Sequence, residues 1–166
     1  CIQIILYRNN RSNEVLRIQK EHKVMEKKRM IKISRYYLMF MLVACTGASI
    51  WQLYLPQIGE AFTDWGISVG WQREISLWNI AIIVSIVIAL RSNNTEMIKI
   101  LVIQSVILCW LLGINHLISL LMNFTFKYLI HILGVFEVML IGGVWGTYIL
   151  FKYFIQQKGI SIEHMN

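Results

Sequence analysis

Val69-Gly-Trp-Gln-Arg-Glu-Ile-Ser-Leu-Trp-Asn-Ile-Ala-Ile-Ile-Val-Ser-Ile-Val-Ile-Ala-Leu90 is the stretch that decides the fold. Its head is ionisable and rich in aromatics: Trp71, Arg73, Glu74, Trp78 and Asn79. It runs directly into a continuous apolar body. A helix that enters a bilayer and takes polar groups in with it reads this way.

The rest of the chain repeats the pattern. The 166 residues are 57% hydrophobic with a single Pro, against about 45–50% apolar in a typical soluble domain. The excess is gathered into four long blocks. Spans of about 20 apolar residues at 1.5 Å per residue cross a ~30 Å hydrocarbon core. They are expected at about 36–55, 74–90, 100–122 and 128–151, inside one transmembrane domain of residues 34–154. Tyr36 and Tyr37 mark one interface of the first span, and Trp51 and Tyr54 the other. Pro56 ends that helix. The acidic, aromatic connection that follows has room for a short interfacial helix near 58–63. The fold class is all-α, a polytopic membrane four-helix bundle.

Charge sets the threading. Residues 1–35 hold ten Lys/Arg against three Glu, an excess of seven that equals the whole formal net charge of +7. A basic segment running into an apolar one is the cytoplasmic flank of a first membrane helix rather than a nucleic-acid tail. Residues 1–33 mix apolar and charged positions without clean periodicity and are expected as a solvated tail rather than a weak amphipathic helix with Val15, Leu16, Ile18 and Val24 toward a membrane surface, and 155–166 as a second polar tail. With the N-terminus inside, Arg91, Lys99, Lys152 and Lys158 also fall on the cytoplasmic side, leaving only Arg73 and Lys127 outside. The expected location is therefore the cytoplasmic membrane, with N- and C-termini both inside. No signal-peptide pattern is present. Cys1 suggests a truncated or over-extended frame, with Met25 or Met30 as natural starts. Cys45 and Cys109 sit in apolar blocks as small hydrophobes.

Lipid does not tolerate isolated ionisable groups, so those inside the blocks turn inward and find partners. They are Arg73, Glu74, Asn79, Gln104, Asn115, His116, His131 and Glu137. Threading puts all but Gln104 in the outer half. Glu137 lies about 9 Å deeper than His131 along the helix. On the third span Ser105, Cys109, Gly113 and His116 share one stripe. On the second, Glu74, Trp78, Ala81 and Ser85 do. On the fourth, Gly142 and Gly146 form a small-xxx-small pair. Arg73, Glu74, Asn79, Asn115, His116, His131 and Glu137 form the candidate ligand or proton cluster, with Glu137 either un-ionised or paired to His116, Arg73 or His131. The plain alternative is structural: a snorkelling Arg73–Glu74 pair and amides that bridge helices. The two His and two Glu match no metal-ligand spacing. No phosphate loop, nucleophile motif or haem attachment is present, so neither metal nor cofactor is expected.

Asp64-Trp65-Gly66, Gly70-Trp71-Gln72-Arg73-Glu74, Trp78-Asn79 and Leu112-Gly113-Ile114-Asn115-His116 together resemble a family of small, functionally uncharacterised four-helix bacterial membrane proteins, loosely similar to the DoxX-like proteins. A Gln-x-Glu-like head opens the second helix in that family, and a Gly-x-x-His element lies in the third. These correspond to Gln72, Glu74, Gly113 and His116. Arg73 and the Ile-rich body depart from the pattern. The resemblance spans about residues 36–150 and implies fold and membrane location without a reaction.

The functional expectation is an accessory or small-ligand- or lipid-binding membrane protein with a polar cluster in the outer half of the bundle. A small membrane oxidoreductase or quinone-handling subunit, with His116 and Glu137 relaying protons, is one alternative. An oligomeric transporter is another. Expected partners are membrane lipid and either a second copy or another membrane protein, not nucleic acid.

Overall fold

The computed structural model describes residues 2–66, 68–92 and 94–153, and the expected C-terminal tail and Cys1 lie outside them. The described residues form helices and no strand. They are α1 (Ile2–Tyr54), α2 (Gln57–Phe62), α3 (Val69–Arg91), α4 (Thr95–Met122) and α5 (Leu129–Tyr153). Four of these are long and apolar enough to cross a membrane. This is an all-α, multi-pass membrane bundle. The short helix expected near 58–63 is α2.

The first helix departs from expectation. The basic segment is not a separate irregular tail but the first half of α1, a helix of 53 residues and about 80 Å. No Gly or Pro interrupts it before Gly47, and Lys, Arg, Glu, Leu and Ile all sustain helix. Arg17 and Glu21 add an i,i+4 pair at 3.1 Å. The side chains described there are mostly exposed, so the solvated character holds.

Polar contacts show that the crossings alternate in direction. At one end, Arg35 of α1 donates to the Leu90 carbonyl at the close of α3, and Lys99 of α4 lies over the Tyr153 ring at the close of α5. At the other end α2, the loop to α3 and the α4–α5 turn meet. Aromatics flank the apolar band. Exposed Tyr54, Trp71, Trp78, Phe124 and Phe126 ring the loop end, while Tyr36 and Tyr148, each under a lysine, mark the other. From Tyr36 to Tyr54 is about 27 Å of helix, close to the hydrocarbon thickness.

Small residues and hydroxyls join the helices. Ser49 and Ser76 each donate to the other's carbonyl, at 3.4 and 3.0 Å, fixing α1 against α3. Such bonds contribute about 0.6 kcal/mol each. The α4–α5 seam is closer. A methyl group at Gly113 would strike Met139, at Gly142 the Cys109 sulfur, and at Gly146 Val106 and Tyr37. The expected Ser105–Cys109–Gly113–His116 stripe does face protein, and so does the Gly142–Gly146 pair. The α3 stripe is different. Trp78 is 74% exposed, Glu74 and Ala81 face outward, and the buried face is Ser76, Ile86 and Ala89 instead. The reason is the α1 seam: Ser76 must meet Ser49, and that turns Glu74 and Trp78 away.

Within α5, residues Gly134–Trp145 are wound as a π-helix. Such i→i+5 winding is rare and recurs at functional sites. Its turns are wider, so a step of 100° per residue does not say which of its side chains share a face with His131. The Tyr37 hydroxyl, itself fully buried, donates to the Gly142 carbonyl in this segment at 2.9 Å.

Candidate functional site

The site is built from the loop inward. Thr63 closes α2 by donating to the Gly59 carbonyl at 2.6 Å, and accepts from the Trp65 amide at 3.3 Å. Gly66 then turns the chain with φ +70°, a conformation that costs a glycine little. This tight turn aims Asp64 and Trp65 back into the mouth of the bundle.

Asp64 there meets both ends of the α4–α5 hairpin. Its Oδ2 accepts from the Asn123 amide at 3.0 Å, and its Oδ1 lies 2.7 Å from His131 Nε2. The Asn123 amide, with His131 second, holds the Asp64 carboxyl below the usual carboxylate range, against the opposing effect of burial. His131 is fully buried. Its other nitrogen, Nδ1, lies 3.0 Å from Nδ1 of His116. A carboxylate on Nε2 at 2.7 Å requires a proton there, because a bare nitrogen would repel it. The Asp64 amide, 3.3 Å from the same atom, is the weaker contact. His131 Nδ1 is then a lone pair, His116 Nδ1 carries the hydrogen between the rings, and His116 Nε2 is left as an acceptor. These protonation states follow from the bonding pattern.

Trp65 clamps the pair. It stacks on His116 (centroids 4.9 Å apart, 30° between planes) and meets His131 edge-on at 4.7 Å. Its indole N–H donates to Ser119 Oγ at 2.8 Å. Gly134 supplies the room, since a methyl group there would clash with the His116 ring.

Below the histidines is a cavity of about 250 Å³. Phe40, Met41, Ala44, Leu108, Leu112 and Val138 form its apolar walls, with Cys45 and Cys109 toward the buried core. Polar groups enter it from all four membrane helices: Gln52, Asn79, Asn115, His116 and Glu137, with Trp65 at the mouth. Asn79 donates to Gln52 at 3.2 Å. Glu137 has no hydrogen bond or ion pair among the described residues, so the expected pairing with His116, Arg73 or His131 is not made; neither is an Arg73–Glu74 pair.

Of the expected cluster, Asn79, Asn115, His116 and Glu137 line this one cavity, and His131 backs His116. Arg73 and Glu74 lie exposed on α3, away from it. Gln104 is exposed too. Gln72 packs over Gly59, with its buried Oε1 unpartnered among the described residues. Sequence reasoning missed Asp64, Gln52, Ser119 and Asn123 as members. Asp64 carried a signal, since an acid beside Trp-Gly in a short loop between spans is placed to reach a histidine at the same depth. Gln52 and Ser119 carried none. No group of three or more metal-ligating side chains occurs among the described residues.

Comparison with protein-family models, with curated proteins and with solved structures finds no match to this chain.

Proposed function

We propose that this protein, in the cytoplasmic membrane with both ends of the bundle inside, binds a small amphiphile within the bundle. Its polar head would sit among Asn115, His116 and Glu137, and its apolar part against Phe40, Met41, Leu108 and Leu112. The observation that carries the reading is the cavity itself. It is apolar along most of its wall and polar at one level, the complement of a molecule with a short tail and a hydrogen-bonding head. Membrane lipid or a lipid-like metabolite is the ligand class this favours. The charge asymmetry supports the orientation, and it puts Asp64 and the cavity mouth on the outer side. The likeness of Gln72, Glu74, Gly113 and His116 to the DoxX-like pattern supports the same bundle and adds no reaction.

Native mass spectrometry of the protein extracted from membranes tests this. The wild type is expected to retain a small amphiphile through delipidation. Ala44→Phe, which fills the cavity, is expected to lose it. Equal retention by both would contradict the proposal.

A further inference from the structure

We infer that the cavity takes a lipophilic organic cation and exchanges it for a proton that leaves through His116, His131 and Asp64. This rests on the amphiphile reading above and adds the charge of the head and the fate of a proton.

The wall sets the charge. Among the described residues Glu137 is the one carboxylate lining the cavity, and no Lys or Arg lines it. A carboxylate at membrane depth needs either a proton or a counter-charge, and the protein supplies neither donor nor cation to Glu137 among the described residues. Phe40 and Trp65 add aromatic surface to the same wall, which favours a cation carrying apolar substituents.

The imidazole pair sets the exchange. In the proposed exchange the displaced proton starts at Glu137 in the empty cavity. An entering cation pairs with the carboxylate and displaces it. The base on the same wall is His116, whose Nε2 has no protein partner among the described residues. The proton bonds there, directly or through cavity water. The hydrogen on His116 Nδ1 crosses 3.0 Å to His131 Nδ1, that on His131 Nε2 crosses 2.7 Å to Asp64, and the Asp64 backbone amide, 3.3 Å away, then donates to the vacated Nε2 in place of the carboxylate contact. Asp64 passes it to water at the mouth. Each hop breaks one bond to hydrogen and makes another, and the cavity exchanges one positive charge for one. When the cation leaves, a proton runs the chain in reverse and restores both tautomers.

The other titratable groups facing the path are Cys45 from α1, Cys109 from α4 and Tyr128 beside His131. The Cys109 thiol is engaged with Met41, and the Tyr128 ring lies edge-on to His131 at 6.0 Å, off the proton line.

The test is calorimetry on the full chain in nanodiscs, titrated with tetraphenylphosphonium in buffers of different ionisation heat, beside neutral triphenylphosphine oxide. Expected are release of about one proton per cation, affinity that rises with pH by up to about tenfold per pH unit, and neutral binding weaker by about tenfold or more. Glu137→Gln is expected to abolish the preference for the cation. Asp64→Asn, at the accessible end of the path, is expected to slow proton release as followed with a pH dye. Equal binding of the neutral compound, or cation binding without proton release, overturns this inference while amphiphile binding stands. Unchanged release in Asp64→Asn overturns the path. Equal retention of an amphiphile by the wild type and Ala44→Phe in the mass-spectrometric test would instead remove the underlying reading.

Discussion

His116 on α4 and His131 on α5 face each other through their Nδ1 atoms at 3.0 Å, so one hydrogen serves two imidazoles from two membrane helices. Truncating either leaves a buried nitrogen without its partner, at a cost of about 1–3 kcal/mol. The two losses describe one interaction. His116→Ala and His131→Ala are therefore expected to be non-additive, with a coupling of about 0.5–3 kcal/mol in a double-mutant cycle. Thermal unfolding in detergent measures it. Additive effects would mean that the rings do not share a bond.

Asp64 makes the loop end sensitive to acid. Its folded carboxyl binds a proton more weakly than the unfolded chain, whose carboxylates titrate near about 3.9. The unfolded state therefore takes up protons first as pH falls. The stabilisation is fully present above the ordinary carboxylate range, and is lost as pH descends through the depressed folded value. The melting temperature of the wild type is expected to drop over that window. Asp64→Asn is expected to start lower and lose less. Parallel curves for the two would contradict the Asn123–Asp64–His131 network as an ionised one.

Two glycines give opposite predictions. At Gly134 a methyl group would overlap the His116 ring. Gly134→Ala is expected to destabilise by about 1–3 kcal/mol, the cost typical of overpacking. Gly47 has nothing within 4 Å of a built methyl. Gly47→Ala is expected to be neutral, or stabilising by up to about 1 kcal/mol through helix propensity. A comparison of the two melting temperatures checks both, and equal effects would mean that α4 and α5 are not seated as described.

Trp65 does two jobs that one substitution separates. Trp65→Phe keeps an aromatic face against His116 but removes the donor to Ser119 Oγ, at an expected cost of about 0.5–1.5 kcal/mol. Trp65→Ala loses the stacking as well and is expected to cost more. The same melts read the difference. An equal loss from both would assign all of the contribution to the indole N–H.

The membrane bundle was legible because lipid forces it: long apolar blocks, one Pro and an asymmetric basic flank leave few alternatives. The inward face of α4 was legible too, because Ser105, Cys109, Gly113 and His116 are small or polar among bulky aliphatics. The face of α3 was not. Trp78 and Glu74 look like inward residues when every polar group is assumed to need a protein partner, but at the membrane interface both are satisfied from outside. What decides α3 is Ser76, an unremarkable serine whose partner Ser49 lies on another helix. Asp64 was hidden for a related reason. A loop acid has no periodicity, and only the turn at Thr63–Gly66 brings it to His131. The π winding of α5 leaves no mark in composition, and it changes which residues share a side with Glu137.

The central claim is that groups from all four membrane helices enclose one amphiphile-binding cavity. Photoaffinity labelling of the membrane-embedded protein with a diazirine-bearing alkyl amphiphile, followed by peptide mapping, tests it most directly. Saturable labelling is expected on Met41, Leu108, Leu112 and Val138, and should vanish in Ala44→Phe. Labelling confined to the outward-facing Val43, Ile107 and Leu111, and unaffected by Ala44→Phe, would contradict it.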